Sequence, residues 1–311
     1  MKKVFIDGGA GTTGLRIVER LSGRTDIQLL VIPEEKRKDN AVKKQIMNEA
    51  DIVFLCLPDA AAIESVGLIE NPNTVVIDAS TAHRTLPDWA YGFPELGEGF
   101  LKKIENSKRI AVPGCHASGF IALAYPLVEA GILPKDALLA CHSLTGYSGG
   151  GKSMIAEYAD ENRAHQLDAP QQYATAQQHK HLKEMKAIVG LETAPAFCPI
   201  VADFYSGMLV TLPLHRKQIN GTLEDIRRVY AEKYSDSIVF FDGETEGDGK
   251  VGFASPIAFE GKDCMRITVS GNDERILLMA AYDNLGKGAS GAAIECMNIA
   301  MGMDKTTGLS L

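Results

Sequence analysis

The chain opens on a strand-like run at residues 3–7 that passes through Gly8-Gly9-Ala10-Gly11-Thr12-Thr13-Gly14 into a helix-like segment at 13–21. Gly9, Gly11 and Gly14 satisfy G-x-G-x-x-G in the strand-turn-helix setting that this motif requires. The missing side chains carry the meaning. Gly9 is expected to allow the tight turn, Gly11 to let the backbone approach a pyrophosphate, and Gly14 to let the helix pack on its strand. Ala10, Thr12 and Thr13 complete the cradle, whose free N–H groups point at anionic oxygens. Such a loop belongs to a parallel sheet, and the next residues agree. Strand-like runs at 27–32, 51–57 and 74–78 alternate with the helix at 13–21 and another at 40–50, and a further strand is expected at 109–112.

Pro113-Gly114 then turns the chain into an apolar helical stretch at 117–129, which sets a boundary: 1–114 as a dinucleotide-binding domain, 115–285 as a second domain. The second part carries longer strand candidates at 138–144, 204–214, 238–242, 265–270 and 276–282, with helices at 152–160 and 223–234. That mix predicts an α+β domain with a mainly antiparallel sheet. The tail, 286–311, begins with small residues and continues into a periodic segment at 289–301, expected to be a helix returning to the first domain.

The net charge of −8 leaves no basic surplus to neutralise a nucleic-acid backbone. No apolar stretch of signal-peptide length opens the chain and no run is long enough to span a bilayer, so a cytoplasmic protein without membrane or nucleic-acid partners is expected. Six cysteines, at 56, 115, 141, 198, 264 and 296, show no CxxC pair, which suits a reducing compartment. Cys115 differs from the others, which lie mostly within apolar runs. It falls at the expected N-terminus of a helix, where the dipole and free N–H groups favour a thiolate. No metal site is expected, because the only close histidine pair, His179-x-His181, would point its rings apart on a helix. Cofactor choice is left open by Glu34, which favours a free ribose hydroxyl, against Lys36, Arg37 and Lys38, which suit a 2′-phosphate.

Six segments in order resemble the shorter form of the N-acetyl-gamma-glutamyl-phosphate reductase family of arginine biosynthesis. They are the glycine loop 8–14, Asp78-Ala79-Ser80-Thr81-Ala82-His83-Arg84, Tyr91-Gly92-Phe93-Pro94-Glu95-Leu96, Val112-Pro113-Gly114-Cys115, Gly146-Tyr147-Ser148-Gly149-Gly150-Gly151-Lys152, and 283–291. The resemblance implies a Rossmann-type NADP domain, a catalytic and oligomerisation domain, a homo-oligomer, and Cys115 as nucleophile toward an acyl phosphate. It also implies an acid/base histidine in a His-x-His-x-x-Glu pattern, which here places His179 in that role with Glu184 as its orienting partner. Lys183 stands where longer members have proline, and His215 stands where they lack histidine, so His181 and His215 remain rivals. For the substrate's phosphate and carboxylate the candidates are Ser148, Gly149, Lys152, Arg84 and Arg216.

Other readings predict other structures. Residues 146–153 also satisfy G-x-x-x-x-G-K-[ST] after a strand-like run, and 239–242 could pose as the metal-binding partner strand of an ATPase or kinase, although the motif sits mid-chain outside the parallel-sheet region. Aspartate-semialdehyde dehydrogenase and an aminoadipyl-phosphate reductase share the thiol chemistry. A non-catalytic NADPH sensor would leave Cys115 dispensable.

Overall fold

The computed structural model describes residues 1–36, 39–235, 238–243 and 252–311. It forms two compact units, one from Met1–Pro94, Glu98–Pro113 and Ala289–Leu309, the other from Glu95–Gly97, Gly114–Gly288 and Ser310–Leu311. The first holds β1 (Lys2–Asp7), α1 (Thr12–Ser22), β2 (Ile27–Leu30), α2 (Asn40–Glu49), β3 (Ile52–Leu55), α3 (Asp59–Gly67), β4 (Val75–Asp78), β5 (Ala90–Tyr91), α4 (Glu98–Asn106), β6 (Arg109–Ala111) and a last helix, Gly291–Ala300. Its strands run parallel in the order β2-β1-β3-β4-β6-β5.

Successive residues of these strands feed two different cores. Val4, Ile52, Phe54 and Ile77 pack with α1 and the last helix, whereas Phe5, Val53, Leu55 and Val76 pack with Met47 of α2 and Ala62 of α3. A two-residue period with both faces covered explains why the strands read as unbroken apolar runs. From β1 the chain moves to β2 on one side and then to β3 on the other. That reversal opens a crevice at the strands' carboxyl ends, where such sheets bind ligands.

α3 and α4 have no counterpart in the sequence reading. α3 starts after Pro58 without a side-chain cap, and its alanine-rich first turn shows no apolar stripe.

The second unit holds α5 (Cys115–Glu129), β7 (Ala140–Gly146), α6 (Gly151–Ala159), β8 (Gln171–Gln172), α7 (His181–Val189), β9 (Ala196–Ala202), β10 (Met208–His215), α8 (Leu223–Lys233), β11 (Val239–Phe241), β12 (Met265–Gly271) and β13 (Arg275–Tyr282). Its sheet runs β11-β12-β13-β10-β7-β9-β8. Among the described residues β7–β9 and β11–β12 pair in parallel and the other pairings are antiparallel. Along β10, Met208, Val210, Leu212 and Leu214 are buried on the face that α5 covers. The opposite face stays open: Leu209 lies across from Leu144, and Leu144 across from Ile200, each only partly buried.

α5 is held closely against this sheet. A Cβ on Gly119 would fall 2.6 Å from Val210 Cγ2 and 2.7 Å from the Tyr282 hydroxyl, so only glycine permits the approach. From α8, the Tyr230 hydroxyl donates to Leu123 O at 2.5 Å, and that of Tyr234 at the end of the helix donates to Ala122 O at 2.8 Å. Tyr230→Phe is expected to cost about 1 kcal/mol, visible as a lower urea midpoint at unchanged slope. An unshifted midpoint would mean that the bond adds nothing to the anchoring of α5. Among the described residues no helix is long and apolar enough to cross a membrane.

Candidate active site

In the first unit, the glycine loop joins β1 to α1. Gly8 adopts φ +84°, and a Cβ there would meet Cys56 O at 2.2 Å, so the left-handed turn falls on Gly8. The turn role expected of Gly9 is thereby corrected, since a Cβ on Gly9 would make only ordinary contact, 3.5 Å from Val18 Cγ2. Gly14 has the packing role its spacing predicts: a Cβ would stand 2.4 Å from Gly8 O and 2.8 Å from Gly9 Cα. No side chain caps α1 at Gly11, and the Thr12 hydroxyl is shut from solvent without a hydrogen-bond partner. A helix N-terminus with an idle buried hydroxyl is a place for an anion.

Beside the loop lies a pocket of about 730 Å³ lined by Gly8, Gly9, Ala10, Ile32, Glu35 and Lys43, among others. Lys43 pairs with Asp7 at 3.0 Å, and Asp7 also accepts from the Ser65 hydroxyl at 2.9 Å. Neither Glu35 nor Lys43 was singled out in the sequence. Arg37 and Lys38 lie outside the described residues, and Lys36 ends a short 3-10 turn.

In the second unit, Cys115 is the first residue of α5, with Gly114 as N-cap, and it is partly exposed. The Glu184 carboxylate, buried on α7, accepts the Gly114 N–H at 2.8 Å. The Tyr282 hydroxyl donates to Cys115 O at 2.5 Å, and a Cβ on Gly288 would come within 3.2 Å of Cys115 Cβ. Backbone on both sides of the sulfur is therefore fixed by buried groups from α7 and β13.

His179 and His181 do not share a helix. His179 sits in the turn before α7, so the rings meet edge to face with centroids 4.7 Å apart. This corrects the expectation that the two-residue gap would part them. His179 Nδ1 accepts from His181 N at 3.2 Å, which leaves the outer nitrogen, Nε2, as the proton-bearing one in the neutral ring. Even so, no group of three or more potential ligands fit to hold a metal exists among the described residues.

The loop carrying His179 is pinned to β9. The Gln177 amide exchanges two hydrogen bonds with the Phe197 backbone, at 2.7 and 2.8 Å. Two non-glycine residues in this loop, Ala174 and Gln177, have φ near +52° and +55°. Such backbone is uncommon and persists where the surroundings impose it.

The other candidates separate. Ser148 is buried and accepts from Asn284 Nδ2 at 3.0 Å, and Gly149 packs at the same amide; Asn284 lies in the turn that leads to Gly288 and Cys115. Lys152 is exposed in the first turn of α6. Arg216 and His215 lie elsewhere. β10 enters at Met208 beside Tyr282 and leaves at His215 beside Arg275. Seven residue steps put about 24 Å between that end and the residue holding Cys115. His215 caps a short 3-10 turn there, and Arg216 donates to Ile219 O.

Arg84, in the first unit, is buried and donates to Val112 O and Ala79 O at 2.8 and 3.0 Å. It joins the segments after β6 and β4 and is not a solvated loop charge. In the same motif Asp78 accepts from Ser80 and pairs with His83 at 2.6 Å. The phosphate-loop arrangement is also excluded. β7, which precedes the glycine-rich turn, is separated from β11 by three strands.

Three site residues went unnoticed in the sequence: His116, Ser143 and Tyr173. His116 follows Cys115 on α5, with Nδ1 2.6 Å from Ser143 Oγ and Nε2 2.6 Å from the Tyr173 hydroxyl. Burial, and then the charge of His179, push its pKa down to about 3, so the ring is neutral. Its place directly after the cysteine was the available signal. Ser143 and Tyr173 had none, being brought in by β7 and by the loop after β8.

Two family descriptions match the chain: the semialdehyde dehydrogenase NAD-binding domain over residues 3–104 and the semialdehyde dehydrogenase dimerisation domain over 115–284. A Sinorhizobium medicae protein named N-acetyl-gamma-glutamyl-phosphate reductase is 42% identical over 303 residues, covering 96% of this chain and 98% of that protein. A Nostoc protein named N-acetyl-gamma-glutamyl-phosphate reductase 2 is 41% identical over 321 residues, 99% of each. Among solved structures, aspartate semialdehyde dehydrogenase from Francisella tularensis superposes with a TM-score of 0.72 at 14% identity, covering 97% of this chain and 100% of that one. At that identity the likeness is one of fold.

Proposed function

The chain belongs to the N-acetyl-gamma-glutamyl-phosphate reductases within the semialdehyde dehydrogenase family, and on that premise we propose the following route. N-acetyl-L-glutamyl 5-phosphate is reduced with NADPH to N-acetyl-L-glutamate 5-semialdehyde and phosphate through a thioester on Cys115. The observation that carries this reading is the setting of Cys115: a partly exposed thiol at the N-terminus of a buried helix, with His116 beside it and Glu184 on the preceding N–H. The cofactor fits the first unit. Gly9, Ala10, Gly11 and Thr13 give backbone at the uncapped end of α1, Gly14 lets the helix come close, and the idle Thr12 hydroxyl awaits an acceptor such as a pyrophosphate oxygen.

The Cys115 thiolate attacks the acyl carbon, the carbon–oxygen bond to phosphate breaks, and a thioester remains. When bound, the nicotinamide supplies the hydride that takes this carbon to the aldehyde level. Cys115 then leaves with the electron pair of its carbon–sulfur bond. His179 is the residue for proton transfer: the departing phosphate takes up a proton, which the outer nitrogen of this ring would supply, and the ring is more open than that of buried His181; His215 is remote. Glu184 acts on the thiol's helix through Gly114, which adds a positioning role to the orienting one expected of it. Ser148, Gly149 and Lys152 form the anion-binding candidate of this unit. The open face of the second sheet, with Leu144, Ile200 and Leu209, is the surface on which a second copy would dock as a dimer.

The reverse reaction tests the whole scheme. NADP⁺ reduction with N-acetyl-glutamate semialdehyde is expected to require phosphate and to fail with aspartate semialdehyde. Phosphate-independent reduction, or preference for aspartate semialdehyde, would move the substrate assignment to another branch of the family.

A further inference from the structure

One arrangement of protons around His116 keeps the fully buried Ser143 hydroxyl paired and leaves the unplaced proton on Tyr173, which is only partly buried. Ser143 is fully buried, and among the described residues His116 Nδ1 is its side-chain hydroxyl's one hydrogen-bond partner. Were Ser143 to accept from an Nδ1–H, its own O–H would be left in a dry site without an acceptor, at a cost of about 1–3 kcal/mol. Ser143 therefore donates to Nδ1. A neutral imidazole carries one proton, so Nε2 bears it and donates to the Tyr173 hydroxyl oxygen. The Tyr173 proton is then left to point elsewhere, and no other side chain or backbone group among the described residues takes it. Tyr173 is held in place by its backbone N–H on Pro199 O at 3.0 Å and by packing beside Tyr158, Leu167 and Val201.

We propose that Tyr173 is a further catalytic residue, whose hydroxyl, oriented by the Ser143–His116 pair, donates to the oxygen that becomes negative when the Cys115 sulfur adds to the acyl carbon. This rests on the reading of Cys115 as nucleophile. Tyr173 stands close enough to Cys115 for the thiolate's charge, after burial, to push its ionisation up, so it remains a donor over the working pH range. Among the titratable groups near Cys115 are Tyr173 and His116, His179 and His181 packed against His116, Glu184 on Gly114 and Tyr282 on Cys115 O. Tyr282 donates to the carbonyl already and is not available to substrate. Proton and electron balance is unchanged: the donated hydrogen bond lowers the energy of the oxyanion and no proton transfers to it.

The test pairs Tyr173→Phe with Ser143→Ala and Ser143→Thr. Tyr173→Phe is expected to lower kcat by about 100-fold, with NADPH affinity and the rate of Cys115 alkylation by iodoacetamide unchanged. Ser143→Ala frees the imidazole to flip its tautomer and should give a smaller loss, which Ser143→Thr restores because the hydroxyl returns. Full activity of Tyr173→Phe, alongside an inactive Cys115→Ser, would overturn the assignment of Tyr173 while leaving the thiol in its role. Loss of alkylation in Tyr173→Phe would also overturn it, because the ring would then be holding the thiol and not the oxyanion. An active Cys115→Ser would remove the reading on which both depend.

Discussion

Cys115→Ser is expected to lower kcat by at least ~10³-fold, while NADPH binds as before and the urea midpoint does not move. The reason lies in the leaving group as well as in attack. A thiolate forms readily near neutral pH, whereas a serine hydroxyl needs a base to remove its proton during attack. Here the neighbouring groups are engaged: His116 with Ser143 and Tyr173, Glu184 with the Gly114 N–H, and neutral His179 keeps its lone pair at Nδ1 on the His181 N–H. The ester that serine would form also holds its acyl group more tightly against hydride addition and collapse than a thioester does. Cofactor affinity should stand apart, because the glycine loop belongs to the other unit. Stopped-flow mixing with acyl phosphate and no NADPH separates the steps, since wild type should release one equivalent of phosphate in a burst and the serine variant none. A burst from the variant, or turnover within tenfold of wild type, would remove the nucleophile's role from Cys115.

How far the sequence reveals this depends on whether an effect is local. The β1–α1 loop was legible because glycine spacing and flanking patterns encode one turn, and the thiol was legible as a cysteine after Pro-Gly at a helix start. The misassigned turn glycine shows the limit, since G-x-G-x-x-G does not say that Cys56 O lies over Gly8. The histidine pair shows another, as its meaning changed once α7 was found to begin at His181. Ser143 and Tyr173 reach His116 only through sheet pairing and the loop pinned by Gln177, contacts of long sequence separation that no spacing announces. Arg216 shows the same limit in reverse, a cation of suitable chemistry that the register carries to the far end of β10.

Gly14→Ala should weaken NADPH binding by at least ~100-fold, about 2.7 kcal/mol. The added methyl would stand 2.4 Å from Gly8 O and 2.8 Å from Gly9 Cα, both backbone atoms of the loop proposed to receive the pyrophosphate. No side-chain rotation relieves such contacts. Either α1 retreats from β1, carrying its N–H groups and Thr12 away from the anion, or the loop shifts and closes on the space the cofactor needs. Gly23→Ala at the other end of α1 is the matched control, since its Cβ meets nothing within 4 Å and its φ of −87° suits any residue. Fluorescence titration with NADPH reads affinity directly, and thermal melting with and without NADPH reads it again through linkage: at 100 times the wild-type Kd the cofactor stabilises by about 2.7 kcal/mol, which the Gly14 variant should largely lose. If Gly14→Ala weakens affinity no more than Gly23→Ala does, the approach of α1 to the loop is not what holds the cofactor, and the site must be sought along Glu35 and Lys43 on the wall of the same crevice.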